Sequence, residues 1–139
     1  MTIILQKSDR GSFRQTIRVH QDGTQHTLFA DVAPALGGEG SAPDPHDLFD
    51  AALAACKAIT LLMYAKRKQL ALDWVDVEIQ RDNSQETKGL YQLNVQLKLV
   101  GTLSDSEQQQ LLAIADKCPI HKLMTAATIQ VNTALASPP

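Results

Sequence analysis

From His46 to Lys68 the chain runs without a glycine or a proline. A helix over that stretch would be roughly 35 Å long, enough to cross a small domain through its centre, so every other element of this 139-residue chain has to be arranged around it. Leu48, Ala52, Ala55, Ile59 and Leu62 recur along it at three- and four-residue steps, which predicts one apolar stripe facing a core. Cys56 belongs to this stretch and is expected to be mostly buried. Leu61 and Tyr64 lie off the stripe and leave apolar surface that one small sheet cannot cover, which predicts a second copy against it.

The remaining elements follow from local signals. Residues 13–20 and 24–32 flank Asp22-Gly23, a dipeptide suited to the positive φ angles of a tight turn, and predict a hairpin. Residues 37–45 hold three glycines and two prolines, so they form a loop of the kind that borders functional sites. Beyond Trp74, Val75, Val77 and Ile79 alternate with polar residues, and Tyr91, Leu93, Val95, Leu97 and Leu99 do so again. The polar segment DNSQETKG between them closes a second hairpin. Ser104 and Glu107 form the signature of a capping box that opens another helix. Pro119 opens a short third helix. Ile129, Val131, Thr133 and Leu135 predict a last strand, followed by a frayed SPP tail. The order ββ-α-ββ-αα-β reads as one α+β domain over residues 1–139.

The chain has two cysteines, and a domain of this size folds without disulfide staples. Cys118, directly before Pro119, falls at a helix N-cap, where unpaired N–H groups favour a thiolate over a thiol. Cys56 and Cys118 therefore predict one sheltered and one activated thiol. For each cysteine alone, the plain alternative is a small core hydrophobe. A zinc site built from His46, Cys56, Cys118 and His121 lacks the paired-ligand knuckles of such sites, so no metal or other cofactor is expected. No secretory signal and no apolar run of membrane-spanning length is evident in the sequence, which points to the cytoplasm, where thiols cycle rather than stay bridged. A net charge of −2 with no basic cluster and only six aromatic residues argues against a nucleic-acid surface.

The segments GGEGSAPDPHDLFDAALAACKAIT and DKCPIHKL, their cysteines 62 residues apart, and the order of elements together resemble the osmotically inducible protein C (OsmC) family, which includes the organic hydroperoxide resistance proteins. HTLFAD at 26–31 and LMYAKRK at 62–68 look like a less characterised branch of it. The resemblance covers nearly the whole chain. It implies antiparallel strands around a long central cysteine helix, in an intertwined homodimer with active sites at the subunit interface.

The resemblance also implies an antioxidant chemistry. The thiolate matching Cys56 attacks an organic hydroperoxide, the thiol matching Cys118 resolves the sulfenic acid to a disulfide, and a dithiol reductant, with lipoyl-type dithiols as candidates, resets the pair. An arginine from the first hairpin approaches the reactive sulfur. Arg14 matches it best, with Arg18 and Arg10 as alternatives. In the family a glutamate ten residues before the central cysteine holds that arginine, and here the position is His46. A histidine supplies no fixed negative charge, but an imidazole can donate a proton to a leaving alkoxide. Two rival functions stand beside the peroxidase: a non-catalytic dimer of the same fold that binds a small hydrophobic ligand, and a weak thiol-dependent hydrolase or transferase.

Overall fold

The structure is a computed structural model and describes residues 1–137. It is α+β, with antiparallel strands and one long helix that carries Cys56. The expected hairpin at Asp22-Gly23 is formed by β2 (Gln15–Gln21) and β3 (Thr24–Ala30), with Gln21 opposite Thr24. Both turn residues have positive φ, 49° at Asp22 and 77° at Gly23, the conformation that lets a two-residue turn follow the twist of its strands. A strand with no counterpart in the sequence reading, β1 (Thr2–Lys7), pairs antiparallel with β2 and completes a three-stranded sheet in the order β1-β2-β3. TIILQK shows no period-two alternation. Its strand character comes from the exposed edge of β2.

The long helix, α1, is Pro45–Lys68. Asp44 and Asp47 close its start by exchanging side-chain-to-backbone hydrogen bonds of 2.8 and 3.0 Å, and Lys66, Arg67 and Lys68 occupy its last turn, where positive charge suits the helix dipole. Its buried side chains are Asp50, Leu53, Lys57, Leu61 and Ala65. The expected stripe is thus corrected. Ala52, Ala55 and Ile59 are exposed, Leu48 and Leu62 are half-buried, and Leu61 is wholly buried. The helix is apolar on nearly every side, so periodicity could not choose the inward face, and the face chosen includes a lysine. By length and composition alone α1 could span a bilayer, its best window having a mean hydropathy of 1.6, which amends the expectation that no stretch has that character. Leu61 and Ala65 are instead packed in a protein core.

After α1, β4 (Leu72–Asp82) and β5 (Gln92–Gly101) form the second expected hairpin, joined through a short 3₁₀ turn at Glu86–Lys88. Leu93, Val95, Leu97 and Leu99 alternate with exposed residues as expected. Gly101 is required where β5 ends, because a Cβ there would stand 2.1 Å from the Ala71 carbonyl oxygen. α2 (Asp105–Ala115) opens with the full capping box of Ser104 and Glu107, and α3 (Pro119–Ala126) opens with Cys118 as N-cap and Pro119 in its first turn. The predicted last strand is absent. Ile129, Val131 and Leu135 are 63, 80 and 99 % exposed, because alternation makes a strand only where another strand offers a ladder, and none of the described strands pairs with this segment. Of the predicted tail, Pro138 and Pro139 lie outside the described residues.

The chain forms two compact units, Met1–Ala51 and Ala52–Pro139, with the boundary inside α1. The first holds the three-stranded sheet and the glycine-rich loop. In the second, Leu61 and Ala65 of α1, Val75 of β4, and Leu111 and Ala115 of α2 form one buried cluster.

Candidate thiol site

α3 begins with two sulfurs on consecutive amides. The Cys118 side chain accepts from the His121 N–H at 3.3 Å, and the Cys56 sulfur, reaching over from α1, accepts from the Ile120 N–H at 3.5 Å. These N–H groups belong to the first helical turn and have no partner within the helix. Pro119 fits this turn because it brings no N–H of its own. Cys56 also lies 4.0 Å from the Thr60 hydroxyl. Both cysteines are free thiols.

The expected burial is reversed. Cys118 is the fully buried one, and Cys56 is half-buried. Burial pushes the Cys118 pKa up. The His121 N–H pulls it down, the adjacent Cys56 side chain raises it further, and the Lys57 charge lowers it. The N-cap position was read correctly, but desolvation outweighs one amide hydrogen bond.

Sequence reasoning missed Lys57. It occupies the buried stripe four residues after Leu53 and four before Leu61, and is 2 % exposed. Its ammonium donates to the Ala115 carbonyl at 2.8 Å, meets His121 Nδ1 at 3.0 Å, and lies 3.4 Å from a carboxylate oxygen of Asp116. A lysine at the centre of an apolar i, i+4 row was the available signal. From sequence His121 stands out only as a metal ligand, and among the described residues no group of three or more His, Cys, Asp or Glu could hold a metal ion.

In the first unit, Arg14 is half-buried and held at three points. One guanidinium nitrogen donates to the Ser41 hydroxyl at 2.8 Å and to the Ser41 carbonyl at 3.1 Å, and its plane lies 4.3 Å from the centre of the Phe29 ring. Behind Ser41 stands Asp31, 3 % exposed. It accepts from the Ser41 hydroxyl at 2.6 Å and from the backbone N–H groups of Val32, Glu39 and Ser41. These bonds, the Ser41 hydroxyl first, lower its pKa to about 2. Gly38 permits this close loop, since a Cβ there would be 2.1 Å from the Val32 carbonyl oxygen. Arg18 and Arg10, the alternatives to Arg14, are engaged on exposed surfaces with Gln6 and Glu39 respectively. His46 is the second residue of α1 and is exposed.

Comparison with known proteins adds three findings. Residues 38–134 match the family model described as OsmC-like protein. Among solved structures, an organic hydroperoxide resistance protein OsmC from Legionella pneumophila is 26 % identical with a TM-score of 0.60, covering 91 % of this chain and 90 % of its own. The organic hydroperoxide resistance protein OhrB of Bacillus subtilis is 25 % identical at a TM-score of 0.51, covering 91 % and 92 %. An OsmC-like protein from Mycoplasma pneumoniae, 21 % identical, shares the fold at a TM-score of 0.62 over 90 % and 85 % of the two chains. No match was found among curated proteins.

Proposed function

Since the chain belongs to the OsmC-like protein family, we propose that it is a thiol peroxidase that reduces organic hydroperoxides through Cys56 and Cys118. The observation that carries this reading is the seating of both sulfurs on successive amides of α3. Two similar structures at 25 % identity or more are those of organic hydroperoxide resistance proteins, which supports the same substrate class. Cys56, the more accessible thiol, is the peroxidatic one. Its thiolate attacks the outer oxygen of the hydroperoxide. The S–O bond forms, the O–O bond breaks, and the alkoxide takes a proton to leave as an alcohol. Cys118 then displaces hydroxide from the sulfenic sulfur, giving a disulfide and water, and a dithiol reductant restores both thiols.

Arg14 is the cation assigned to the reacting peroxide, held by Ser41 and Phe29 rather than by a carboxylate at position 46. His46, which stands where the family has its glutamate, is assigned as proton donor to the alkoxide. The working form is a homodimer in a reducing cytoplasm, with Ile59 and Met63 of α1, 56 and 67 % exposed, as the apolar surface for the second copy. The test is to mix reduced protein with an organic hydroperoxide and weigh the product. The expected result is a loss of about two hydrogens per chain, abolished by Cys118→Ser, with catalytic consumption when a dithiol is added. A wild-type protein that forms no disulfide and consumes no hydroperoxide would overturn the reading in favour of ligand binding without catalysis.

A further inference from the structure

We propose that Lys57 is a positioning residue for the thiol pair, a buried ammonium whose charge stabilises the Cys118 thiolate as it attacks oxidised Cys56. The proposal rests on the redox reading of the two cysteines, and its test is built on a quantity independent of peroxide turnover. A charged lysine is seldom buried unless it is paired. Here the compensation is mostly neutral. Of the three groups around Nζ, one is the carbonyl of Ala115 and one is Nδ1 of His121. An ammonium only donates, so beside a charged Lys57 the Nδ1 of His121 is the acceptor. The one carboxylate, Asp116, is 73 % exposed and stands at 3.4 Å, where solvent screens it. A buried positive charge with so weak a counterion leaves its field available to an anion nearby.

That anion arises once in each cycle. Cys118 has to lose its proton before its sulfur can bond to the sulfenic sulfur of Cys56. The S–S bond then forms, the S–O bond breaks, and the departing hydroxide accepts a proton to become water. The Cys118 sulfur is oxidised and the Cys56 sulfur is reduced, so the step needs no further reactant. Burial opposes this ionisation, and the Lys57 charge favours it. The titratable groups in contact with Lys57 are Asp116 after α2 and His121 in α3, with Cys56 its sequence neighbour on α1; Cys118 joins this cluster through the His121 backbone N–H, from which it accepts at 3.3 Å.

The alternative is that Lys57 only ties α1 to the end of α2. The two roles separate in a thiolate titration. In a Cys56→Ser background, where Cys118 is the remaining thiol, ultraviolet thiolate absorbance is followed against pH with Lys57 intact and with Lys57→Met, which keeps the length and loses the charge. The expected result is a higher midpoint in the methionine variant, read as a roughly threefold to tenfold smaller thiolate signal at a fixed pH below the midpoint. Coincident midpoints in a folded Lys57→Met protein would overturn the proposal, whatever the loss in stability. Should that variant not fold, the side-chain carbon and nitrogen shifts of Lys57 in the wild type decide the matter. Lys57 has to stay protonated through the Cys118 midpoint, and a lysine that becomes neutral before the thiol ionises would equally overturn it. Either result stands if the protein proves inactive toward hydroperoxides, so failure of the electrostatic role and failure of the peroxidase reading are told apart.

Discussion

Arg14 is held by a hydroxyl, a carbonyl and an aromatic ring, and a negative charge stands one residue behind them. Ser41 passes the Asp31 charge forward, accepting from Arg14 and donating to Asp31 through the same hydroxyl. Because the folded Asp31 pKa is about 2, against an ordinary 3.8, its contribution to the loop is complete above the ordinary value and is lost as the pH falls through about 2. A carboxyl-carbon titration of Asp31 should show this depressed midpoint, and amide shifts of Val32, Glu39 and Ser41 should move with it. With Arg14 anchored in this way, His46→Glu is expected to slow hydroperoxide turnover, on the order of a hundredfold. A faster variant would show instead that position 46 lacks an arginine clamp.

At the scale of elements, caps and alternation were the readable signals. Ser104 and Glu107, Pro119 with Cys118, and Asp22-Gly23 each specify local hydrogen bonds or φ angles within a few residues, and each element they announce is present. What could not be read depended on distant partners. β1 exists because β2 offers an edge, the segment after α3 is not a strand because none of the described strands pairs with it, and the inward face of α1 is chosen by Val75, Leu111 and Ala115 rather than by its own period. The same division holds for the site. Both cysteines and Arg14 could be nominated from sequence, while Lys57, Ser41 and Asp31 gained their roles through contacts 10 to 64 residues away in the chain. Two substitutions measure these elements. Ser104→Ala should cost about 1 kcal/mol through the lost cap, and Leu111→Ala, at a wholly buried position, about 2–5 kcal/mol, both by chemical denaturation.

For the molecule as a whole, the prediction concerns association. Ile59 and Met63 lie one helical turn apart on α1 and expose most of their surface, whereas of Leu61 and Tyr64, the surplus apolar residues expected from sequence, Leu61 is in the core and Tyr64 packs against it. Light scattering should give twice the chain mass of 15.2 kDa. Ile59→Asp combined with Met63→Asp should shift that mass toward the single chain while leaving the Leu61 cluster intact.

The two sulfurs that accept from Ile120 and His121 do more than await a substrate: they are the N-terminal cap of α3. Bonding the two sulfurs to each other restricts where each can sit, so oxidation weakens both caps at once and loosens the first turn of this eight-residue helix. Hydrogen–deuterium exchange at Ile120 and His121 should therefore accelerate in the oxidised protein and slow again on reduction, making the backbone itself a reporter of the redox state.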